Sequence, residues 1–161
     1  MQYTQTNEYF ISINALKRAL SHLIHYGIHI PNNIQEFINQ LNPNHIQNQA
    51  HFKTLKRIIE QELTEREDDG FPESLCFEFL LIAISVLDFY DENDLDILIG
   101  IQDSAIELYA TQFANEYMIN NGKPYYIFSD DENEMIENNP LAIQEKNSQE
   151  KDRAFIYQNT L

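Results

Sequence analysis

Hydrophobic residues along this chain recur mostly at helical spacing, and one stretch is apolar almost throughout. From Leu75 to Tyr90 the chain reads LCFEFLLIAISVLDFY, and the thirteen residues from Leu75 to Leu87 include only two polar ones, Glu78 and Ser85. Crossing a bilayer takes roughly 20 apolar residues, so the run is too short to span one. Buried strands usually end after about 4–8 residues, whereas this pattern continues through Tyr90. A helix that is apolar nearly all round belongs at the centre of a soluble bundle.

The flanking segments carry amphipathic patterns. Ile13, Leu16, Leu20, Leu23 and Ile24 mark a helix over Tyr9–Tyr26, which Gly27 closes in the position of a left-handed cap. Pro31 opens a short second helix through Ile34, Phe37, Ile38 and Leu41, stopped by Asn42-Pro43. A third helix is expected from about Asn44 to Arg66, with Phe52, Leu55, Ile59 and Leu63 as its stripe. Pro72 and Ser74 open the apolar helix. After Tyr90 an acidic turn, with Asp91 or Asn93 as N-cap, leads into a long helix or two in line, with Gly100 or Asp103 as the bend and Asn121-Gly122 as the stop. Tyr125–Phe128 reads as an aromatic clasp, because no second strand exists to pair with it. Asp130–Asn138 suits one or two acidic helical turns. The polar segment Gln144–Asp152 is expected to be loosely ordered, with Ala154–Tyr157 docking back on the body. The expected fold is all-α: a single-domain bundle of about five to seven helices around the apolar helix 75–90. Residues 1–143 would form the helical domain and 144–161 a polar tail docking through 154–157.

Composition narrows the possible functions. With 161 residues, 43% hydrophobic, the chain is long enough for one real core. Four glycines, five prolines and no tryptophan disfavour sandwiches, barrels and dinucleotide-binding folds. Cys76 is the only cysteine, so no intrachain disulfide forms. The amino terminus lacks a basic region followed by an apolar one, and a cytoplasmic location is the expectation.

Recognised chemistry is sparse. His22, His25 and His29 stand three and four apart, which would suit zinc, but Gly27 interrupts the helix before His29 and no His-Glu-x-x-His accompanies them. The acidic turns starting at Asp91 and at Asp130 fail the calcium-loop pattern, having Asp96 and Met135 where glycine is required. Nucleophile-elbow, phosphate-loop and dinucleotide motifs are absent, and no catalytic residue, metal or cofactor is assigned. Cys76 lies in the most apolar stretch, where a thiolate is disfavoured. Glu78, on an otherwise apolar helix, is the one acid whose environment should be perturbed, and the ordinary expectation is a helix-edge carboxylate bonded to a tyrosine or lysine.

Charge placement has a direction. The net charge is −16, and between Glu67 and Gly122 there are thirteen acids and no lysine or arginine. Such segregation repels nucleic acid and anionic lipid and favours a basic protein partner, with Phe89, Tyr90, Tyr109 and Tyr117 as an aromatic rim where exposed. Solubility alone would also favour an acidic surface. The partner-binding candidates are Asp88, Tyr90, Asp91, Glu92, Asp94, Asp96 and Asp103. An acidic half of this kind in a small single-domain chain resembles the immunity proteins of bacterial polymorphic toxins and contact-dependent inhibition systems. That resemblance implies a cytoplasmic inhibitor bound to the toxic domain of a cognate nuclease or similar effector, its carboxylates standing where substrate phosphates would lie or covering an adjoining exosite. Phage-encoded inhibitors of nucleic-acid enzymes follow the same logic. A helical scaffold or regulatory subunit, contacting through Tyr125–Phe128 or Phe155–Tyr157, and a metal-dependent hydrolase using His22 or His25 are the other classes.

Overall fold

The computed structural model describes residues 2–47, 52–123 and 126–159. Among them are seven helices and no strand: α1 Gln2–Tyr26, α2 Asn32–Gln40, α3 Phe52–Arg66, α4 Ser74–Glu92, α5 Leu95–Asn120, α6 Asp130–Glu137 and α7 Pro140–Asn159. The bundle is all-α, as the periodicity implies, and no described helix is long and apolar enough to cross a membrane. α4 packs against α5, α3 and α1. Its Leu75, Phe79, Leu80, Ile82, Ala83, Val86 and Leu87 are buried in the main core with Tyr9, Ile13, Leu16 and Leu23 of α1. Leu98, Ile101 and Leu108 of α5 complete that core. Cys76 is buried there as well, and burial pushes its thiol up to about 11, against a smaller opposing pull from Arg66.

Local chemistry sets the helix ends. Gly27 and Gly122 have φ of +96° and +62°, values that L-side chains rarely adopt. Beyond each, an amide reaches back five residues to close the last turn: Ile28 N–H to the Leu23 carbonyl and Lys123 N–H to that of Met118, both at 2.9 Å. The α4–α5 joint differs from the expected N-cap at Asp91 or Asn93. Asn93, with φ 55°, is the left-handed C-cap of α4, and Asp94 caps α5, its side chain accepting from the Asp96 amide at 2.9 Å. α5 then runs unbroken past Gly100 and Asp103. Ser129 and Glu132 form a reciprocal capping box on α6.

Two other expectations change. Residues 44–47 are turn and irregular chain rather than the start of α3. Asn42 captures them, its side chain taking the Asn44 amide at 2.9 Å and its carbonyl the His45 amide at 3.1 Å. Residues 48–51 lie outside the described residues, as do Pro124 and Tyr125 of the aromatic segment. In the rest of that segment Tyr126 donates to Asn115 and Phe128 meets the Tyr117 ring edge-on at 6.2 Å, so the clasp closes on α5, while Ile127 stays exposed.

The larger correction concerns residues 144–152, which are helical throughout within α7 and not loosely ordered. Asn139 caps α7 by accepting the Ala142 amide at 3.0 Å, and Pro140 occupies its first position. Within 154–157 only Ile156 is buried, while Phe155 lies flat on Phe10 at 5.7 Å with half its surface in solvent. The rest of the docking surface is largely polar. Glu145 and Gln149, each 3% exposed, face Arg18 of α1 and Gln102 of α5. Arg18 grips Glu145 with two bonds of 2.9 Å and Asp152 with one of 2.8 Å. Gln149 donates to the Gln102 carbonyl at 3.0 Å, and Arg153 to the Gln102 side chain at 2.7 Å. Buried polar groups are tolerated when paired in this way.

Candidate functional site

The outer sides of α4 and α5 build an acidic surface. On α4, Glu78, Leu81, Ser85, Asp88 and Glu92 recur three or four residues apart and so share one face; on α5, Asp96, Ile99, Asp103 and Glu107 do the same. The joint at Asn93–Asp94 turns the chain back, so the two stripes lie on neighbouring packed helices. Glu78, Glu92, Asp96, Asp103 and Glu107 are exposed, and Asp88 is half-buried. Leu81 and Ile99 stand 41% and 40% exposed among these carboxylates, so the face has apolar contact points inside an acidic field.

At the joint the acids divide by what they do locally. Asp94 and Asp96 occupy the first turn of α5, where the helix dipole favours an anion. Asp91 and Glu92 lie in the last turn of α4, where it does not. Lys56 of α3 offsets part of that repulsion, its Nζ 2.6 Å from Asp88 and 3.3 Å from Asp91. The bond to Asp88 is the main reason its ammonium is held above the ordinary value. The absence of cations between Glu67 and Gly122 in the chain is therefore not repeated in space.

Of the candidate residues, Glu92, Asp96 and Asp103 are exposed carboxylates of this surface; Asp88 and Asp91 are paired with Lys56; and Asp94 is committed to its cap. Tyr90 turns inward, its hydroxyl on that of Tyr9 and its ring stacked on Phe52 at 5.0 Å. The aromatic rim does not form. Phe89 and Tyr109 are buried, and Tyr117 packs with Phe113 and Phe128. Leu81, Ile99 and Glu107 take the place of that rim, and the spacing that marks α4 and α5 as helices also places them beside the acids.

Glu78 is perturbed, but not by a tyrosine or lysine. Desolvation raises its carboxyl most, and the charge of Glu107 across the helix pair adds to it. A folded-state value raised above the ordinary 4.5 means that ionised Glu78 opposes folding at neutral pH and ceases to do so once it is protonated in acid. Glu78→Gln is therefore expected to raise Tm slightly at pH 7, with the gain fading below about pH 4. A lower Tm at pH 7 in calorimetry would show a stabilising partner for the carboxylate.

The three histidines do not converge. His22 is held by Gln112, with Nε2 2.7 Å from Oε1, and meets the Tyr109 ring edge-on at 5.0 Å, while His25 and His29 are exposed. Among the described residues no three histidine, cysteine or carboxylate side chains are grouped to hold a metal ion. No protein-family model, curated protein or solved structure matches the chain.

Proposed function

We propose that this protein is an acidic binding protein that neutralises a basic protein partner, in the manner of an immunity protein inhibiting a nuclease-type toxin. The observation carrying the reading is the α4–α5 face, where exposed carboxylates from both helices surround Leu81 and Ile99. Carboxylates in a shared field attract a cationic surface from a distance, and the exposed leucine and isoleucine offer short-range contact once it arrives. The acids at the end of α4, and Glu78 opposite Glu107, stand where local energetics disfavour them, which fits residues retained for a partner. A nuclease groove built to hold phosphates would meet carboxylates in their stead.

The test is affinity capture from the native cells at low salt, with wild-type protein and a variant carrying Asp96→Lys, Asp103→Lys and Glu107→Lys. The expected result is a basic partner whose nuclease or other toxic activity is suppressed in the complex and which the variant fails to retain. Capture of the same partner by both proteins, or of acidic partners only, would overturn the reading.

A further inference from the structure

A cleft of about 420 Å³ opens between α1, α5 and α7, away from the acidic face. Lys17, Arg18 and His22 line it from α1, Tyr109 from α5, and Glu145 and Ser148 from α7. Its size falls in the range of small-molecule sites. More telling is the set of polar groups there whose bonding capacity is unused.

Tyr109 is only 5% exposed, but its hydroxyl reaches solvent and has no hydrogen-bond partner among the described residues. Burial raises its phenol, the Glu145 charge adds to this and Arg18 opposes it, so the ring's polar end faces the ion pair in the cleft wall. His22 is held in one tautomer by a chain of bonds. Tyr26 and the Gln112 amide nitrogen both donate to Glu116, at 2.7 and 3.1 Å. That leaves the Gln112 oxygen toward His22, where it can only accept, so Nε2 carries a proton, and Nδ1 is the ring nitrogen left without a partner among the described residues and able to accept. Lys17 spends one N–H on the Asn39 carbonyl at 3.3 Å and has two left. Glu145 is bound by Arg18 at 2.9 Å and by Gln149 at 3.1 Å, and the Arg18 guanidinium offsets its charge in the cleft wall.

The cleft thus offers an ammonium, a phenol and the hydroxyls of Ser21 and Ser148 as donors, beside one imidazole nitrogen able to accept. The complementary ligand has several acceptor oxygens and brings one proton of its own. A carboxylate or sulfate ion has no such proton, whereas a hydrogenphosphate group has one. We propose that the α1–α5–α7 cleft binds a singly protonated phosphate group, either inorganic phosphate or a phosphate monoester, with Lys17 and Tyr109 donating to its oxygens and His22 Nδ1 accepting its O–H. The net charge of −16 opposes the approach of an anion from afar, but at physiological salt that repulsion is screened beyond about 8 Å. This site is separate from the acidic face and does not depend on the partner reading.

The test titrates the protein with sodium phosphate, glycerol 3-phosphate and sodium sulfate at constant ionic strength, following the side-chain resonances of His22 and Tyr109 by NMR at about pH 6, where about half of a monoester carries the required proton. The expected result is saturable binding of at least one phosphate probe, weakened about tenfold or more by Lys17→Ala and by Tyr109→Phe, and sulfate binding weaker by a similar factor. Tighter binding of glycerol 3-phosphate would identify a monoester as the ligand, and equal binding of the two phosphate probes would identify the phosphate group alone. No saturation with either phosphate probe, binding unaffected by both substitutions in variants whose melting shows them folded, or sulfate binding equal to phosphate would overturn the proposal.

Discussion

Replacing Arg18 by alanine is expected to destabilise the protein by about 3 kcal/mol, the low end of the cost of leaving a buried charge unpaired. Glu145 is 3% exposed and would keep only its bond from Gln149, at 3.1 Å, while Asp152, 17% exposed, would lose its bond of 2.8 Å. The low end applies because the Arg18 side chain is itself 31% exposed, so water can reach part of the vacated space. For a chain of this length the loss corresponds to a fall in Tm of roughly 10 °C. Because these bonds join α7 to α1, hydrogen exchange in α7 should accelerate before exchange in the α4 core does. Arg18→Met combined with Glu145→Met should recover part of the loss, since it removes the more deeply buried stranded charge and leaves only Asp152, 17% exposed, without its partner. A urea midpoint for Arg18→Ala within error of the wild type would mean that the polar seam contributes nothing to docking α7.

The second large effect is kinetic. Converting Asp96, Asp103 and Glu107 together to lysine changes the charge of the face by six units and should lower the association rate with the basic partner by tenfold or more, on the order of what electrostatic steering contributes. These three are the suitable positions because they are exposed and hold no cap or ion pair. Reversing Asp91 or Asp94 would mix effects, since one pairs with Lys56 and the other caps α5. The triple variant should melt within a few degrees of the wild type, and surface substitutions of this kind usually change stability little. An unchanged association rate at low salt would move the docking site elsewhere.

Helices that bury a continuous apolar stripe were legible in the sequence. The run from Leu75 and the spacing of Ile13, Leu16, Leu20 and Leu23 each mark one buried face, and Gly27 and Gly122 mark the ends. α7 was not legible, although its buried residues Ala142, Glu145, Gln149 and Ile156 fall at helical spacing. Two of the four are polar, and their partners Arg18 and Gln102 lie on other helices, far off in sequence. A reading of apolar periodicity alone takes such a segment for solvated chain. The candidate surface divides in the same way. Glu92, Asp96 and Asp103 follow from the charge pattern, but Lys56 enters from α3, and Tyr90 leaves the surface because Tyr9 and Phe52 lie behind it. Glu78, Leu81, Ile99 and Glu107 join the surface only when α4 and α5 are side by side.

The most direct test of the acidic-face account is the association rate of wild-type protein with its captured partner, measured by stopped flow across ionic strength. Steering by the α4–α5 carboxylates predicts a rate that falls steeply, by about tenfold or more, as salt is raised from about 0.02 to 0.5 M, with a much flatter dependence for the triple lysine variant. A wild-type rate that stays flat over that range would contradict it.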